Sequence, residues 1–471
     1  MSLGVVDDRR PTTTRSDSGA RRFGAARSPG ILEMALQIGR KGRLQFLMDL
    51  WRTQGDLPHL RVGGANLLLT IHPEHVRHVS VTARQSFDKL HTYDTSRALL
   101  LGDGLIASTG ALWKRQRRLM SGFFSPRGIE QYYPIMLAAA ETTAQRWEPI
   151  AGTGRSIDMI DEMMLMTAWI IVQTMFGLDV ADARLIALKG DVEGLIGFVT
   201  RRGYSPLRVP MSLPLPSHRQ YRAARTRVHA LIREVIAKRR AQPQADWPDD
   251  LLSKLMSARD EETGETMTDA LVRDESLGIF IAGHETTART MSFLWYVLHR
   301  NPEVEARLHA ELDSVLPRDA APTLDHLKRL PYTLQAIKEV LRLYPPAPAY
   351  ARDAAVDQTM DGVHIRAGTH MVMFPYATHR HPDFWEEPER FDPDRWLPER
   401  EAGRHPFAYH PFAAGHRICL GNNFAMLEAH ILAALLVRRF RARLVAGHEP
   451  RFESAGTLIV PNGLPMEITA R

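Results

Sequence analysis

The chain has 471 residues, of which 44% are hydrophobic and 24% charged, a composition typical of a globular protein. Its single cysteine excludes a disulfide scaffold and a multi-cysteine zinc or iron–sulfur site, and is consistent with a reducing cytoplasm. The net charge of +6 is mildly basic, which leaves nucleic acid, an acidic membrane surface or an acidic protein as possible partners.

The first 30 residues form a polar and basic segment. They include three aspartates, few large apolar residues and six arginines: Arg9, Arg10, Arg15, Arg21, Arg22 and Arg27. This composition predicts a disordered, solvated arm over residues 1–30. The segment lacks the apolar central region of a secretory signal. The sequence contains no run of 18 apolar residues, so we expect no membrane span.

The pattern then turns helical and afterwards strand-like. Residues 31–51 are partly amphipathic, which favours packing against the core over contact with a membrane surface. Two strand-like runs, at His59–Val62 and 67–71, flank a glycine-rich turn and predict a β-hairpin. Pro73 suits the first turn of a helix. Residues from about 110 to 345 have mainly helical periodicity, with breaks at proline and glycine.

A second strand-rich patch follows the helical region. Asp361 and Gly362 predict a tight turn between strands at 359–360 and Val363–Ile365, and residues 371–374 form a further strand pattern. The last strong pattern is a helix with one apolar face: Phe424, Leu427, Ile431, Leu432 and Leu435. The chain has no internal repeat and no long polar linker. We therefore predict a mainly α fold with small β-sheets, in which residues 31–471 form a single large domain.

The single cysteine, Cys419, lies in the segment Phe-Ala-Ala-Gly-His-Arg-Ile-Cys-Leu-Gly at residues 412–421, just before the last helix. A thiol at a helix N-terminus meets free backbone N–H groups and the positive end of the helix dipole, which lower its pKa and favour the thiolate. Gly415 and Gly421 allow a flat group to approach closely. Arg417 supplies a nearby cation.

Three interpretations of Cys419 follow from these residues. It could be an ordinary buried cysteine, or a nucleophile with His416 or His410 as its base. The surrounding residues do not match a recognised cysteine hydrolase motif. A thiolate held by backbone donors beside two glycines also suits one face of an iron porphyrin.

A second motif, Ala-Gly-His-Glu-Thr-Thr at residues 282–287, lies within a long helical pattern over 268–299. Gly283 in mid-helix costs about 1 kcal/mol relative to alanine. That cost is acceptable if the helix passes flat over a cofactor and must admit a small ligand there. Glu285 and Thr286 would then bring an acid and a hydroxyl to the same gap. The simpler alternative is a threonine bonded back to a helix carbonyl, beside an exposed glutamate.

Two further pairs have helical spacing. Glu339 and Arg342 place a carboxylate and a guanidinium on one helix face, where such a pair is usually a surface salt bridge worth less than about 1 kcal/mol. Trp113 and Arg117 are four residues apart, so an indole N–H and a guanidinium can donate to one carboxylate. The simpler interpretation of this second pair is a solvated basic face.

The pattern Phe-x-x-Gly-x-Arg-x-Cys-x-Gly resembles the haem-binding motif of the cytochrome P450 superfamily. The other three motifs match that family in the expected order, so the resemblance covers roughly residues 45–470. It implies a single P450-type domain and a haem b cofactor (iron protoporphyrin IX), with Cys419 as the ligand to its iron. The implied activity is that of a haem-thiolate monooxygenase. This oxidoreductase inserts one oxygen atom of O2 into an organic substrate and releases the other as water.

The resemblance also assigns roles to single residues. Dioxygen is implied to bind beside Gly283, with Thr286 hydrogen-bonding it and Glu285 relaying protons. Several cations are implied to neutralise the haem propionates. The full implied set of cofactor-binding residues is Cys419, Arg417, Trp113, Arg117, Arg352, Phe412 and Gly421.

One structural role and two departures complete the comparison with the family pattern. Arg390 is implied to join Glu339 and Arg342 in a buried triad that fixes the loop before the cysteine. Ala413 stands where the family often has glycine, and Gln116 stands where many members have histidine. Neither departure removes a haem ligand, and both bear on how the haem packs.

The resemblance places the substrate opposite the cysteine, between mainly apolar segments at 91–101, 195–215, 280–283, 347–349 and 457–458. Such walls fit an apolar small molecule, such as a fatty acid or a terpenoid. The charged exceptions, which we expect at the solvated surface, are Arg201, Arg202 and Arg208. The segments around Phe87 and Arg342 resemble the fatty-acid-hydroxylase-like branch, which says little about the substrate.

A basic patch is expected on the cysteine side of the domain, formed by Lys114, Arg115, Arg118, Arg404, Arg438 and Arg439. It favours an acidic electron donor, a ferredoxin or flavodoxin with its reductase, over nucleic acid. We expect a cytoplasmic monomer without a fused reductase. Two alternatives are an enzyme that uses hydrogen peroxide directly, which the pair Glu285 and Thr286 disfavours, and a haem-thiolate sensor without turnover.

Overall fold

The computed structural model describes residues 28–62, 64–177, 183–204, 209–317 and 321–471. The predicted arm over residues 1–30 therefore lies almost wholly outside the described residues, as does Arg208. Within the described ranges the fold is mainly helical with small sheets, which confirms the predicted fold class.

Helices make up most of the described chain. In chain order they are α1 (Ile31–Lys41), α2 (Arg43–Gln54), α3 (Pro73–Arg77), α4 (Asp94–Ser96), α5 (Gly110–Ser121), α6 (Pro126–Glu130), α7 (Tyr133–Trp147), α8 (Met159–Phe176), α9 (Ala183–Tyr204), α10 (Pro216–Arg240), α11 (Leu251–Ser257), α12 (Asp269–Arg300), α13 (Pro302–Val315), α14 (Leu324–Leu327), α15 (Pro331–Leu343), α16 (Pro375–Thr378), α17 (Pro398–Glu401) and α18 (Asn422–Arg439).

The described strands are β1 (His59–Val62), β2 (Ala65–Thr70), β3 (Phe87–Asp88), β4 (Ser156–Asp158), β5 (Tyr350–Ala354), β6 (Gln358–Met360), β7 (Val363–Ile365), β8 (His370–Met373), β9 (Phe440–Leu444), β10 (Glu453–Ala455), β11 (Thr457–Ile459) and β12 (Pro465–Ala470). All of these strands except β4 lie before or after the long helical region in sequence. The largest sheet has the order β1-β2-β8-β5-β3, and a second has the order β4-β12-β9. Strands β6 and β7 form one hairpin, and β10 and β11 form another.

Local sequence signals set several of these boundaries. Thr268 caps α12, since its hydroxyl oxygen accepts the backbone N–H of Leu271 at 3.2 Å. The predicted helix over 268–299 is thus confirmed to within one residue. The predicted turn between β6 and β7 is also confirmed, because Asp361 and Gly362 adopt φ angles of 49° and 76°, as a two-residue hairpin requires.

The core forms where α12 packs against α8. By length and composition α8 could cross a membrane, but 72% of it is buried inside the protein, as expected for a core helix. The predicted helical region over 31–51 is divided into two helices that behave differently. The second, α2, buries Leu44 and Phe46 as expected, whereas α1 leaves Leu32 and Leu36 exposed.

A buried ionic network lies at the end of α15. Glu339 and Arg342 are both fully buried and joined at 2.8 Å. The expectation that Arg390 completes this triad is wrong, because its side chain is 64% exposed and pairs with Glu387. The third member is Arg395, which is 4% exposed and lies 3.3 Å from the Glu339 carboxylate. Desolvated charges need close partners, and the short turn Pro393–Trp396, just before α17, supplies Arg395 as a partner of Glu339.

A second buried carboxyl ties α12 to the loop that precedes α5. Glu275 accepts the backbone N–H of Leu105 at 3.0 Å and the side-chain amide of Gln116 at 2.6 Å. Gln116 is fully buried and also accepts a hydrogen bond from Ser108 at 2.8 Å. The departure at Gln116 therefore has a structural use. Burial raises the pKa of Glu275 to about 8.

Replacing Glu339 by glutamine leaves two buried guanidinium groups without a counter-charge. We expect Glu339→Gln to lower the free energy of unfolding by about 3 kcal/mol, measured by urea denaturation followed by far-ultraviolet circular dichroism. Glu387→Gln is the matched control, because Glu387 pairs with the exposed Arg390 and such a pair contributes less than about 1 kcal/mol. Equal losses in the two variants would contradict the assignment.

The raised pKa of Glu275 predicts how stability changes with pH. Between its ordinary pKa and about 8, the folded state keeps a proton that the unfolded state has lost, so stability falls as pH rises through this window. Glu275→Gln removes this contribution. We expect its urea midpoint to change less than that of the wild type between pH 5.5 and pH 8, with the exposed acid variant Glu261→Gln as control. Parallel curves for Glu275→Gln and the wild type would refute this role.

Candidate active site

Residues 412–421 form a tight loop that leads into α18. The backbone N–H of Cys419 donates to the carbonyl of Phe412 at 2.8 Å, which closes the loop on itself. Gly415 has a φ of 69°, and a Cβ there would lie 2.1 Å from the carbonyl oxygen of Ser80. Only glycine fits this position, so the loop holds the Cys419 thiol at a fixed place just before α18.

Ala413 occupies the position where the family pattern favours glycine. Its φ of 61° lies in the left-handed region, which costs an L-residue about 1–2 kcal/mol. The loop therefore keeps a backbone shape suited to glycine and tolerates the strain. The departure at Ala413 changes the energy of the loop and not its path.

The Cys419 side chain is exposed in a recess where the surrounding protein atoms desolvate its sulfur, and this desolvation raises the pKa of the thiol. The Gly421 N–H, Arg117 and Lys89 act in the opposite direction. The helix terminus lowers this pKa as expected, through the Gly421 N–H, but desolvation outweighs the backbone donor and the cations, so the net shift for the chain by itself is upward. Such a thiol is stabilised as an anion once a metal shares its charge.

Three cations line the recess around Cys419. Arg352 and Arg417 are 5% and 8% exposed, and Lys89 is half-buried. Burial, together with repulsion from the two arginines, pushes the pKa of Lys89 well below its usual value. Burial also lowers the pKa of Arg417 to about 10, with Arg352 contributing and Asp88 opposing. Positive charge is therefore concentrated in a desolvated place.

The protein compensates these charges only in part. Lys89 and Arg352 each donate to a backbone carbonyl, at 2.6 and 2.7 Å. Arg417 pairs with Asp88 and donates to a third carbonyl at 2.9 Å, while its Nε atom is buried without a hydrogen-bond partner. Buried cations in this state are suited to bind an anion. The donor set fits a flat group that carries two carboxylates and a metal, as haem does.

Helix α5 adds the other two predicted cofactor residues. The Arg417 guanidinium lies 3.9 Å from the ring centroid of Trp113, and Arg117 donates to the carbonyl of Ile418 at 2.7 Å. The predicted cofactor-binding residues that these contacts bring together are Cys419, Arg417, Trp113, Arg117, Arg352, Phe412 and Gly421.

Sequence analysis missed Lys89 and Asp88 as members of this site. They follow no recognised spacing relative to the cysteine motif. The signal lies in strand pairing, because Asp88 is opposite Asp353 where β3 pairs with β5, and Arg352 precedes Asp353 in the chain. A one-dimensional pattern carries no information about this pairing.

Helix α12 exposes Ala282 more fully than Gly283, which is half-buried. Ala282 is exposed although His284 and Glu285 beside it are buried. A Cβ on Gly283 would lie 2.8 Å from the Cδ1 atom of Ile171 in α8. The interpretation of Gly283 as the position that admits a small ligand is therefore wrong. Its missing side chain lets α12 approach α8 closely, and Ala282 is the small residue on the open side.

The predicted acid and hydroxyl have different partners. The Thr286 hydroxyl donates to the carbonyl of Ala282 at 2.7 Å, which is the back-bonded geometry considered from the sequence. The Glu285 side chain is buried, however, and its carboxylate accepts the Thr457 hydroxyl at 2.6 Å and lies 3.6 Å from Arg289. The structure therefore places the two groups side by side along α12 but does not join them.

Helices α12 and α18 meet next to this motif. Thr287 donates to Glu428, whose pKa burial raises to about 8. Glu428 lies six residues after the start of α18, which corresponds to about 9 Å along the helix. This contact brings residues 282–287 close to the loop that holds Cys419.

Comparison with known proteins agrees with this geometry. The family model described as Cytochrome P450 matches residues 29–468. The chain is 34% identical to cyclooctatin synthase of Streptomyces melanosporofaciens, covering 90% of this chain and 91% of that protein. It is 32% identical to pentalenene oxygenase of Streptomyces avermitilis, covering 95% of this chain and 98% of that protein.

A solved structure matches the fold over a similar length. The haem domain of cytochrome P450DA superposes with a TM-score of 0.83 at 28% identity, covering 91% of this chain and 93% of that one. The family match spans nearly the whole chain, and the recess around Cys419 has the donors that a haem requires. The chain belongs to the cytochrome P450 family of haem-dependent monooxygenases.

Proposed function

We propose that this protein inserts one oxygen atom of O2 into an apolar hydrocarbon of terpenoid type. The observation that carries the proposal is the site itself. The Cys419 thiol lies among buried cations that the protein neutralises only in part, and Ala282 is exposed on the neighbouring helix α12. The names of the relatives support the substrate class, since two of them are a pentalenene oxygenase and a cyclooctat-9-en-7-ol 5-monooxygenase. A fatty acid is the second candidate, since it shares the apolar chemistry that the walls select.

The predicted substrate walls are largely apolar where they are described. Leu100, Leu195, Phe198 and Leu458 belong to one buried hydrophobic cluster. Arg201, an expected exception, is exposed and so does not enter that cluster. The walls therefore favour a ligand held by apolar contact and shape.

The chain's own residues divide the work. Bound haem supplies the activation of dioxygen, with Cys419 as the proposed iron ligand. Arg417, Arg352 and Lys89 would neutralise its propionates, with Trp113 and Arg117 on the α5 side and Phe412 and Gly421 in the ligand loop. Thr286 would offer its hydroxyl to the reacting oxygen atom, and the Glu285 carboxylate would pass protons towards it. Gly283 would act through helix packing only.

Electrons would come from a separate ferredoxin or flavodoxin with its reductase. Several cations of the basic patch expected for that donor already pair with carboxylates or pack on aromatic rings within the protein. Arg118 pairs with Asp260, and Arg439 pairs with Glu141, while Arg404 lies over the rings of Trp385 and Trp396.

Lys114 remains exposed as a charge for steering an acidic partner. We also propose a cytoplasmic monomer. The lone cysteine supports the location, and the bacterial relatives are in keeping with it. Nucleic acid is not part of the proposal.

The proposal is tested with the haem-loaded protein, a ferredoxin, its reductase and NAD(P)H. We expect a panel of terpenoid hydrocarbons to include at least one that shifts the ferric haem spectrum and is converted to a hydroxylated product. Cys419→Ser should lose both the thiolate-type carbon-monoxide difference band and turnover. Ala413→Gly, which keeps the sulfur in the same loop, should retain both.

Other outcomes of this experiment separate the alternatives. Turnover with hydrogen peroxide alone and none with the donor system would identify a peroxide-using enzyme. Spectral shifts without product from any donor would identify a sensor. An unchanged carbon-monoxide band in Cys419→Ser would remove the basis of the proposal altogether.

Lys89 offers a specific test of the cofactor site. If its ammonium group holds a propionate, Lys89→Met should raise the rate of haem dissociation by about tenfold, the effect of losing one charge-assisted hydrogen bond. The rate is measured by haem transfer to apomyoglobin. Lys328→Met is the control, because Lys328 pairs with Asp325 on the exposed surface. A rate equal to that of the control would exclude Lys89 from the site.

A further inference from the structure

The Glu285 carboxylate is held by two side chains that the proposed roles do not include. Its Oε1 atom accepts the Thr457 hydroxyl at 2.6 Å and lies 3.6 Å from the Nη2 atom of Arg289. The side chains of Glu285 and Arg289 are 12% and 10% exposed. The Nε atom of Arg289 is buried without a hydrogen-bond partner. A desolvated carboxylate with a charge-assisted hydrogen bond and an ion pair is firmly oriented.

This orientation turns the acid away from the hydroxyl it is proposed to serve. Thr286 donates to the carbonyl of Ala282 at 2.7 Å, on the side of α12 that exposes Ala282. Glu285 instead reaches strand β11, where Thr457 lies. The carboxylate therefore has to leave Thr457, at least in part, before it can pass a proton towards Thr286.

Thr457 occupies a place where several predicted substrate walls meet. The next residue, Leu458, donates its backbone N–H to the carbonyl of Pro346 at 2.9 Å, at the start of the loop before β5. On its other side, a Cβ on Gly456 would lie 3.6 Å from the Thr200 hydroxyl oxygen near the end of α9. A ligand that displaces either wall therefore moves the hairpin that carries the Thr457 hydroxyl.

We propose that Thr457 is a positioning residue through which substrate binding controls the Glu285 carboxylate that delivers the proton. With no substrate, Thr457 and Arg289 hold Glu285 against β11. Substrate pressing on the hairpin weakens the Thr457 hydrogen bond, and the carboxylate becomes free to serve Thr286. The step moves only a proton: the freed Glu285 carboxylate takes it up from solvent, passes it on at the Thr286 side and returns to the carboxylate form. The inference rests on the proposed monooxygenase function.

The test compares Thr457→Val with the wild type as haem-loaded enzyme supplied with ferredoxin, reductase and NAD(P)H. We expect the coupling ratio, defined as NAD(P)H consumed with substrate divided by NAD(P)H consumed without it, to fall by about tenfold, the effect of losing one hydrogen bond to a charged group. Substrate-free NAD(P)H consumption should rise, because the acid is no longer restrained. Thr457→Ser, which restores the hydroxyl, should recover the wild-type ratio. Thr469→Val makes the same exchange on the exposed face of β12 and should change nothing.

A double-mutant comparison shows whether Thr457 acts through Glu285. In a Glu285→Gln background, Thr457→Val should have no further effect on the coupling ratio. A second readout needs no turnover: Thr457→Val should lower the urea midpoint in the Glu285 background and leave it unchanged in a Glu285→Ala background. Effects of equal size with and without Glu285 would overturn the inference, as would a wild-type coupling ratio in a folded Thr457→Val protein.

The outcomes also separate this inference from the proposed function. A wild-type protein that yields no product with any donor contradicts the function itself. A wild type that turns over, beside a Thr457→Val variant with the same ratio, contradicts the positioning role alone. If Thr457→Val does not fold, Arg289→Met supplies the same comparison from the second partner, with raised substrate-free consumption as the expected result.

Discussion

The central constraint on this molecule is the need to keep a thiol and several cations together in one desolvated recess. Burial lowers the pKa of Lys89 and of Arg417, with repulsion from Arg352 adding to the effect on both, and burial disfavours the ionised form of Cys419. The ionised thiol and the buried cations are therefore both destabilised unless groups of opposite charge bind to them. A haem bound as proposed would meet both demands at once, because its iron would share the thiolate charge and its propionates would neutralise the cations.

The rest of the fold supplies the rigidity that such a site requires. Glu339 is fully buried and holds both Arg342 and Arg395, which fixes the chain that leads into the cysteine loop. Glu275 fixes the loop before α5 from the opposite side. Each network pairs its buried charges or donors locally. If the loops that it holds were to move, these buried groups would lose their partners in an apolar environment, which costs free energy. Positioning on this scale depends on interior polar contacts as much as on packing.

The parts predicted correctly from the sequence are those encoded over short spacings. The start of α12 at its Thr268 cap and the turn between β6 and β7 each depend on a few neighbouring residues, so both follow from local backbone rules. Arg390 was predicted in place of Arg395 because both lie in the segment between α16 and α17. Only the tertiary structure shows that the Arg395 side chain is the one that is buried against Glu339. Gly283 was misread for a similar reason: periodicity places it on α12 but does not reveal that α8 faces it. The raised pKa of Cys419 depends on desolvation, which no spacing encodes.

Two acids flank the threonine pair of α12, and their surroundings differ. Glu428 is buried beside Thr287, with its pKa raised to about 8 and its Oε2 atom without a hydrogen-bond partner. Glu285 instead has a cation and a hydroxyl within reach. A group with polar partners can exchange one for another without leaving a charge uncompensated, whereas a group in an apolar surrounding holds its proton. This contrast supports the proposed role of Glu285 as the acid that moves a proton, and Glu428 is placed to stabilise the junction of α12 and α18 near the loop that holds Cys419.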